Sequence, residues 1–270
     1  MKLSVNDARM EQTRGWEYAR LGDYHRNLDP NWSYTPTYLR KMAVVKTFLQ
    51  QLPKNAAILD VGCGEGVLVE EMRTVGLNIT GIDLNYESQL VTLGNVLQIQ
   101  YANDSFDVVL LLDVFEHLAF QDQATALREI LRVLRPGGKF VASIPNLAHW
   151  NSRNSMFFKG TLDRTDVELN HIGERPMREN ARLIEEAGFT VSRVVGVTLT
   201  VPWLYRGVIC KRAARWRWLH DVCEPLARMA PSLAMLDVFF CQKPLTSESD
   251  QLLTGAQEVS RSRPESSQSQ

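Results

Sequence analysis

Asp60, Gly62, Gly64 and Gly66 crowd into one short run, Ile58-Leu-Asp-Val-Gly-Cys-Gly-Glu-Gly66. Glycine at alternate positions lets a ligand approach the backbone of a tight turn and the start of a following helix, where N–H groups converge. Asp83 lies 19 residues after Gly64. A carboxylate at the end of the neighbouring strand can accept both hydroxyls of a ribose. Asp113, Glu116 and His117 follow a third apolar run, and imidazole titrates near neutrality, so His117 is the first candidate for a general base. His171 is the second candidate, and His149 is a further histidine within reach of the same region. Each group also has a plainer role. The glycines can simply make a tight strand-to-helix turn, Asp83 can cap a helix, and Glu116 with His117 can shape a turn.

These residues need a scaffold that brings them to one edge. Residues 57–61 form a continuous apolar run, 67–72 read as a helix ending near Gly76, and 78–83 as a second strand. Strand, helix, strand in that order implies a parallel sheet. The alternation continues with an apolar strand at 106–112, an amphipathic helix at 121–134, a turn at Arg135-Pro-Gly-Gly138 and a strand at 139–144. A helix at 176–187 capped by Gly188, a strand at 190–198 and a last strand at 234–242 complete it. An earlier helix over 37–52 ends at Pro53. In an open parallel sheet, ligands bind beyond the carboxyl ends of the strands, and the polar groups named above all fall there.

The 270 residues suffice for one large domain or two small ones. Thirty Lys and Arg against 31 Asp and Glu leave a net charge of −1, without the basic excess of a protein that grips nucleic acid over its whole surface. No run approaches the roughly 20 apolar residues of a spanning helix, and the polar N-terminus does not resemble a secretory signal. Four widely spaced cysteines, with no CxxC pair, suggest neither a structural zinc site nor a disulfide framework. We therefore expect a soluble, cytoplasmic protein with no metal site.

Five stretches, taken in register, resemble the successive motifs of class I S-adenosylmethionine-dependent methyltransferases: 58–66, Gly81-Ile-Asp83, Ser105-Phe-Asp-Val-Val109, Asp113-Val-Phe-Glu-His-Leu118 and Leu131-Arg-Val-Leu-Arg-Pro-Gly-Gly-Lys139. The resemblance covers about residues 41–200 and is nearest to the small-molecule branch that includes ubiquinone-biosynthesis O-methyltransferases. Gly160-Thr-Leu-Asp-Arg-Thr165 also resembles a stretch of methyltransferases from bacterial surface-polysaccharide clusters. The family implies an α/β, Rossmann-like doubly wound sheet of seven strands in the order 3-2-1-4-5-7-6, with strand 7 antiparallel and helices on both faces. It also implies S-adenosyl-L-methionine as cofactor. Asp60, Gly62, Gly64 and Gly66 would hold its methionine end, Asp83 its ribose, Leu84 would pack on the adenine, and Asp113 would line the same edge. Asn95 stands where the family usually has an adenine-reading Asp, and an amide oxygen can still accept that hydrogen bond. Only 11 residues separate Asp83 from Asn95, so the family's helix there is shortened or lost.

Val67 stands where a nucleotide-dependent oxidoreductase needs glycine, and the later motifs have no counterpart in that class. A cofactor-binding protein without transfer activity is the other alternative. No Asn/Asp-Pro-Pro-Tyr motif marks a nucleic acid methyltransferase. Ten of the 13 Trp and Tyr residues lie in 1–40 or 201–220, outside the cofactor core, which suggests a lid over a small-molecule, saccharide or lipid-linked acceptor. The domain plan is an aromatic leader at 1–40, a cofactor domain at 41–244 with a basic, aromatic insertion at 201–233, and a serine-rich tail at 245–270 expected to be disordered. Lys211-Arg-Ala-Ala-Arg-Trp-Arg-Trp218 has the composition of a membrane-surface helix, so peripheral contact with the inner face of a membrane is expected there.

Overall fold

Side chains along Phe106–Leu112 alternate between two apolar layers, and that alternation sets the architecture. Val109 and Leu111 join one buried cluster with Leu59, Phe115, Leu127 and Ile130. Val108 and Leu110 join the other with Met42, Val45, Leu49, Val69 and Phe240. A strand apolar on both faces must be covered on both, which is the signature of a sheet sandwiched between helices. The computed structural model describes residues 34–162, 171–202 and 213–245, together with 26, 28–30, 32, 204, 205 and 208. The 1–25 part of the leader, the 246–270 tail, Trp203, Arg206, Lys211 and Arg212 lie outside the described residues, as does 163–165 of the polysaccharide-type stretch.

The elements are α1 (Thr35–Gln50), β1 (Ile58–Val61), α2 (Val67–Thr74), β2 (Ile79–Asp83), β3 (Val91–Leu93) and β4 (Phe106–Leu112). There follow a 3-10 turn (Phe115–His117), α3 (Phe120–Val133), β5 (Leu134–Pro145), α4 (Trp150–Lys159), α5 (Met177–Glu186), β6 (Thr190–Leu199), α6 (Ala213–Met229), a 3-10 turn (Pro231–Leu233) and β7 (Ala234–Gln242). The seven strands run in the order β3-β2-β1-β4-β5-β7-β6. β7 is antiparallel to both β5 and β6, as the sequence leads one to expect. Helices α3 and α5 cover one face, and α1 and α2 cover the other. Burying one side chain such as Val45 or Leu49 on α1 contributes about 1.5–3 kcal/mol.

Two departures from expectation have physical causes. Arg135-Pro-Gly-Gly138 is not a turn ahead of a strand but part of β5 itself. Leu134 pairs with Phe106 and Lys139 with Val108, so the extra residues bulge out of the ladder. Gly137, at φ 75°, makes that bulge possible. Second, α4 is absent from the sequence expectation, because only Ser152 is buried along it and no apolar stripe announces a helix. Between β2 and the parallel β3, by contrast, residues 84–90 hold no helix, the loss that the short spacing implies.

Segment 201–233 leaves the sheet after Leu199 and returns at Ala234, and those two residues are partners across β6 and β7. Helix α6 packs back on β6 through Ala227, which is fully buried with Leu199 and Ala234. Gly196 makes the approach possible, since a Cβ there would sit 2.4 Å from Ala227 O and 2.7 Å from Pro231 Cα, both backbone atoms. Overpacking of that kind costs about 1–3 kcal/mol. Gly196→Ala is therefore expected to lower the thermal midpoint by loosening α6, and an unchanged melt by circular dichroism would refute the close fit.

Candidate active site

The carboxyl ends of β1, β2, β4 and β5 meet along one edge, and the turn after β1 is tied there first. Gly62 and Cys63 both donate to Ile82 O, at 2.8 and 3.2 Å. Gly62 has φ 75°, and a Cβ on it would lie 2.3 Å from Val114 Cγ2, so the β1 turn and the residue following Asp113 interlock. The glycine thus serves the protein's own packing as well as ligand approach. Gly66 takes φ 80° as the residue before α2, and Gly64 takes φ 57° between them.

Asp83 is fixed by backbone donors. Gly64 N–H donates to its Oδ2 at 2.9 Å and Asn85 N–H to its Oδ1 at 2.8 Å. An ionised carboxylate offers about four acceptor sites. Leu84, next in the chain, exposes 40% of its surface, which suits an apolar ring lying on it. Asn95 is exposed, and its Oδ1 accepts from Leu97 N–H at 2.9 Å. Asp60 is 3% exposed at the end of β1. Burial, helped by the charge of Asp83 and opposed by that of Lys41, pushes its carboxyl up to about 7. A buried acid held so far from its ordinary range fits a ligand that brings its own positive charge, as the ammonium and sulfonium of S-adenosylmethionine do. The backbone-fixed Asp83 and exposed Leu84 fit its ribose and adenine.

Asp113 is occupied by the protein itself. Lys41 Nζ, 2% exposed on α1, lies 2.6 Å from Asp113 Oδ2, and Tyr34 OH donates to the same oxygen at 2.7 Å. Ser143 Oγ donates to Oδ1, and Asp113 N–H donates back to Ser143 Oγ at 3.0 Å. Burial raises the Asp113 carboxyl, but the Lys41 charge and these hydrogen bonds hold it below its ordinary value. Asp113 also takes φ 55°, an unusual conformation for a residue with a side chain. Tyr34, Lys41 and Ser143 carry no motif of their own, and sequence reasoning passes over all three.

The two candidate base histidines, 54 positions apart in the chain, come together. The rings of His117 and His171 stand edge to face with centroids 4.7 Å apart. Gly173 explains how. Its N–H donates to Glu116 O at 2.8 Å, and a Cβ would fall 2.1 Å from Leu118 O, so the two backbones press together here. Gln123, fully buried on α3, reinforces the junction by donating to Gly173 O at 2.8 Å and to Phe115 O at 3.3 Å. His171 Nδ1 is 2.9 Å from Glu174 Oε1, a buried carboxylate that sequence reasoning also passes over. Glu116 is 1% exposed and its Oε2 has no hydrogen-bond partner among the described residues. Burial, and then the neighbouring Asp113 charge, raise its carboxyl well above the usual range. One ligand atom each from Glu116, His117 and His171 lies within 4.8 Å of the others. Two imidazoles and a carboxylate are a donor set that a divalent cation can use, although the sequence pointed to no metal. His149 is elsewhere, buried at the start of α4 with Nδ1 2.8 Å from Thr200 Oγ1. It caps that helix.

Comparison with known proteins places these features in context. A family model described as a methyltransferase domain matches residues 32–194. A curated relative from Mycolicibacterium smegmatis, named "Probable S-adenosylmethionine-dependent methyltransferase", is 32% identical over 172 residues, 59% of this chain and 62% of that protein. The ubiquinone biosynthesis O-methyltransferase of Aeromonas salmonicida is 36% identical over 103 residues, 32% of this chain and 42% of the relative. The matches thus span about half the length of these relatives. Among solved structures, a Burkholderia thailandensis 1,6-didemethyltoxoflavin-N1-methyltransferase with bound S-adenosylhomocysteine superposes with a TM-score of 0.51 at 16% identity, covering 90% of this chain and 92% of that one. The PH0226 protein of Pyrococcus horikoshii gives 0.53 at 15% identity, covering 84% and 98%. At such identities the likeness concerns the fold.

Two outcomes follow from the charges of this edge. Removing Lys41 leaves Asp113 buried and uncompensated, so Lys41→Met should cost about 3–5 kcal/mol, read as a lowered denaturant midpoint; no change would refute the pair's importance. Asp60 binds its proton more tightly folded, up to about 7, than at its ordinary 3.8. Its stabilising contribution is therefore complete below 3.8 and is lost as pH rises to about 7. Glu116 acts in the same direction. Asp60→Asn should flatten that decline in thermal melts across the interval, and a slope equal to the wild type would count against it.

Proposed function

The chain belongs to the class I S-adenosylmethionine-dependent methyltransferases, and we propose that it methylates a hydroxyl oxygen of a small-molecule, saccharide or lipid-linked acceptor. Family membership sets aside the nucleotide-dependent oxidoreductase alternative. When bound, the cofactor supplies a methyl group already activated on a sulfonium. Asp60 and the β1 turn would hold its methionine end, and Asp83 with Leu84 the nucleoside. What the protein must add is alignment, which in well-oriented systems contributes on the order of 7–11 kcal/mol, and a base where the acceptor hydroxyl is weakly acidic.

The observation that carries this proposal is the His117–His171–Glu174 grouping at the carboxyl end of β4. With Nδ1–H of His171 donating to Glu174, Nε2 becomes that ring's basic nitrogen. A base oriented by a third group is the usual arrangement for proton abstraction. His117 packs edge to face on this ring and is itself half-buried. Together the imidazoles can take the hydroxyl proton as the acceptor oxygen attacks. Glu174 acts through His171 and is a positioning residue.

His117→Ala and His171→Ala are each expected to lower kcat by about 10²–10⁴ with S-adenosylmethionine affinity retained. Glu174→Gln should shift the pH profile of kcat. Full turnover in both histidine variants would end the base assignment. The acceptor class is read by supplying methyl-labelled S-adenosylmethionine to the protein with fractionated cell extract and following label into polar or lipid fractions. Binding with no transfer to any fraction would instead favour a non-catalytic cofactor-binding protein. The unpartnered Glu116 Oε2 favours one second interpretation, in which Glu116, His117 and His171 hold a divalent cation against the acceptor oxygen. Loss of turnover on chelation, restored by added Mg²⁺, would select it.

A further inference from the structure

The apolar side of helix α6 is about twice as wide as the part of it that is buried. The inner face is accounted for, with Ala227 and Cys223 packing near Leu199, and Trp216 and Leu219 near Tyr205 and Met235. The outer face carries Trp218, Val222, Leu226 and Met229, exposed at 54, 63, 53 and 82%. Spaced by four, four and three residues, they fall within roughly 80° of arc at 3.6 residues per turn. A surface helix normally turns polar groups outward, and an apolar stripe left exposed beside the buried one marks an interaction face.

The charges around this stripe say what covers it. The sequence from 201 to 233 carries six Lys and Arg against two acids, Asp221 and Glu224. Glu224 is buried between Arg40 of α1, 3.4 Å from its Oε2, and Arg228, 3.7 Å from its Oε1. Asp221 stays exposed but is neutralised by Arg40, 2.5 Å from its Oδ1. Arg215 is exposed, 5.7 Å over the Trp216 ring. The segment as a whole is thus net cationic, and its exposed stripe is apolar with tryptophan and arginine at hand. That combination suits an anionic lipid interface, where tryptophan seats at headgroup level and arginine meets phosphate. It suits a second copy of this chain poorly, because the cations would face their own kind.

A second exposed patch lies on α4, the helix tied to the turn that follows α6. Arg153 of α4 donates to Ser232 O at 2.8 Å, in the 3-10 turn that follows α6. At the far end of α4, Phe157 and Phe158 are exposed at 82 and 64%, beside Met156 and Lys159. Helix α4 follows the carboxyl end of β5 and segment 201–233 follows the carboxyl end of β6, so both patches rise from the cofactor edge of the sheet. No described helix is long and apolar enough to cross a membrane.

We propose that the outer face of α6, Trp218, Val222, Leu226 and Met229, together with the exposed Phe157–Phe158 end of α4, docks the protein in-plane on an anionic phospholipid surface. The active-site edge then faces the membrane, which narrows the acceptor to one that lies in or against the bilayer. The docking needs no turnover and stands apart from the proposed reaction. Only the narrowing of the acceptor rests on it.

The test is flotation of the purified full chain with vesicles of phosphatidylcholine alone or mixed with phosphatidylglycerol. The protein should float with the mixed vesicles at low salt, stay behind with the neutral ones, and be released at high salt as screening weakens the attraction. Val222→Glu with Leu226→Glu, both on the exposed face, should abolish flotation while circular dichroism and S-adenosylmethionine binding remain at wild-type level. Phe157→Ser with Phe158→Ser provides a second variant, expected to weaken flotation. Failure to float with the anionic vesicles at low salt would overturn the proposal, as would undiminished flotation of the α6 variant. A concentration-dependent dimer in sedimentation that the α6 variant disperses would assign the face to a second copy and overturn it equally. If label enters no lipid in the transfer assay while flotation holds, the acceptor inference falls and the docking stands.

Discussion

The buried ion pair between Lys41 and Asp113 is the constraint on which the site edge hangs. It joins the middle of α1 to the end of β4, and Tyr34 and Ser143 complete the shell around the same carboxylate. Taking two charges out of water is expensive, and the attraction between them repays that cost only when further hydrogen bonds satisfy the remaining sites. Here they do. The pair holds Asp113 in its left-handed conformation, which directs Val114 against Gly62 and sets the 3-10 turn that presents Glu116 and His117. Lys41 also reaches Asp60 electrostatically. One lysine therefore tensions both the cofactor turn and the histidine pair.

This arrangement explains why α1 and the sheet form one packed unit. Thr37 on α1 shares a hydrogen bond of 2.8 Å with Thr198 near the end of β6, and Arg40 bridges to α6. Successive positions on the first turns of α1 thus contact the strand edge, the insertion and the catalytic edge in turn. The helix acts as a clasp across the carboxyl side of the sheet.

The sheet was legible in the sequence because its signals are local. Val108 to Leu112 is apolar on both faces, and the glycines at 62, 64 and 66 punctuate the turn where period 2 gives way to period 3.6. Strand β7 matches its expected span at both ends, because a nearly continuous apolar run there is bounded by Pro231 and Pro244. Helix α4 escaped because its contacts are few and its cap is a histidine, a residue type that gives no capping signal. The site was legible only where a residue's role is set by its own stretch of chain. Asp83 is held by backbone groups nearby and by the β1 turn. The meeting of His117 with His171 depends on a backbone contact at Gly173 between segments 54 residues apart, and no periodicity reports that. Lys41 reads as an ordinary polar position on an amphipathic helix, since nothing in its neighbours reveals that the buried face contains an acid.

Leu199 and Ala234 are paired across β6 and β7, so segment 201–233 begins and ends at adjacent points on one rim. A chain excursion whose ends already meet adds closure entropy only slowly as it lengthens. The excursion is nevertheless seated on the core at Gly196, through Arg40 to Asp221 and Glu224, and by Glu224 accepting from Thr198 N–H. Its length is therefore the cheap variable, and these few seats are what fix where the exposed stripe stands relative to the cofactor edge.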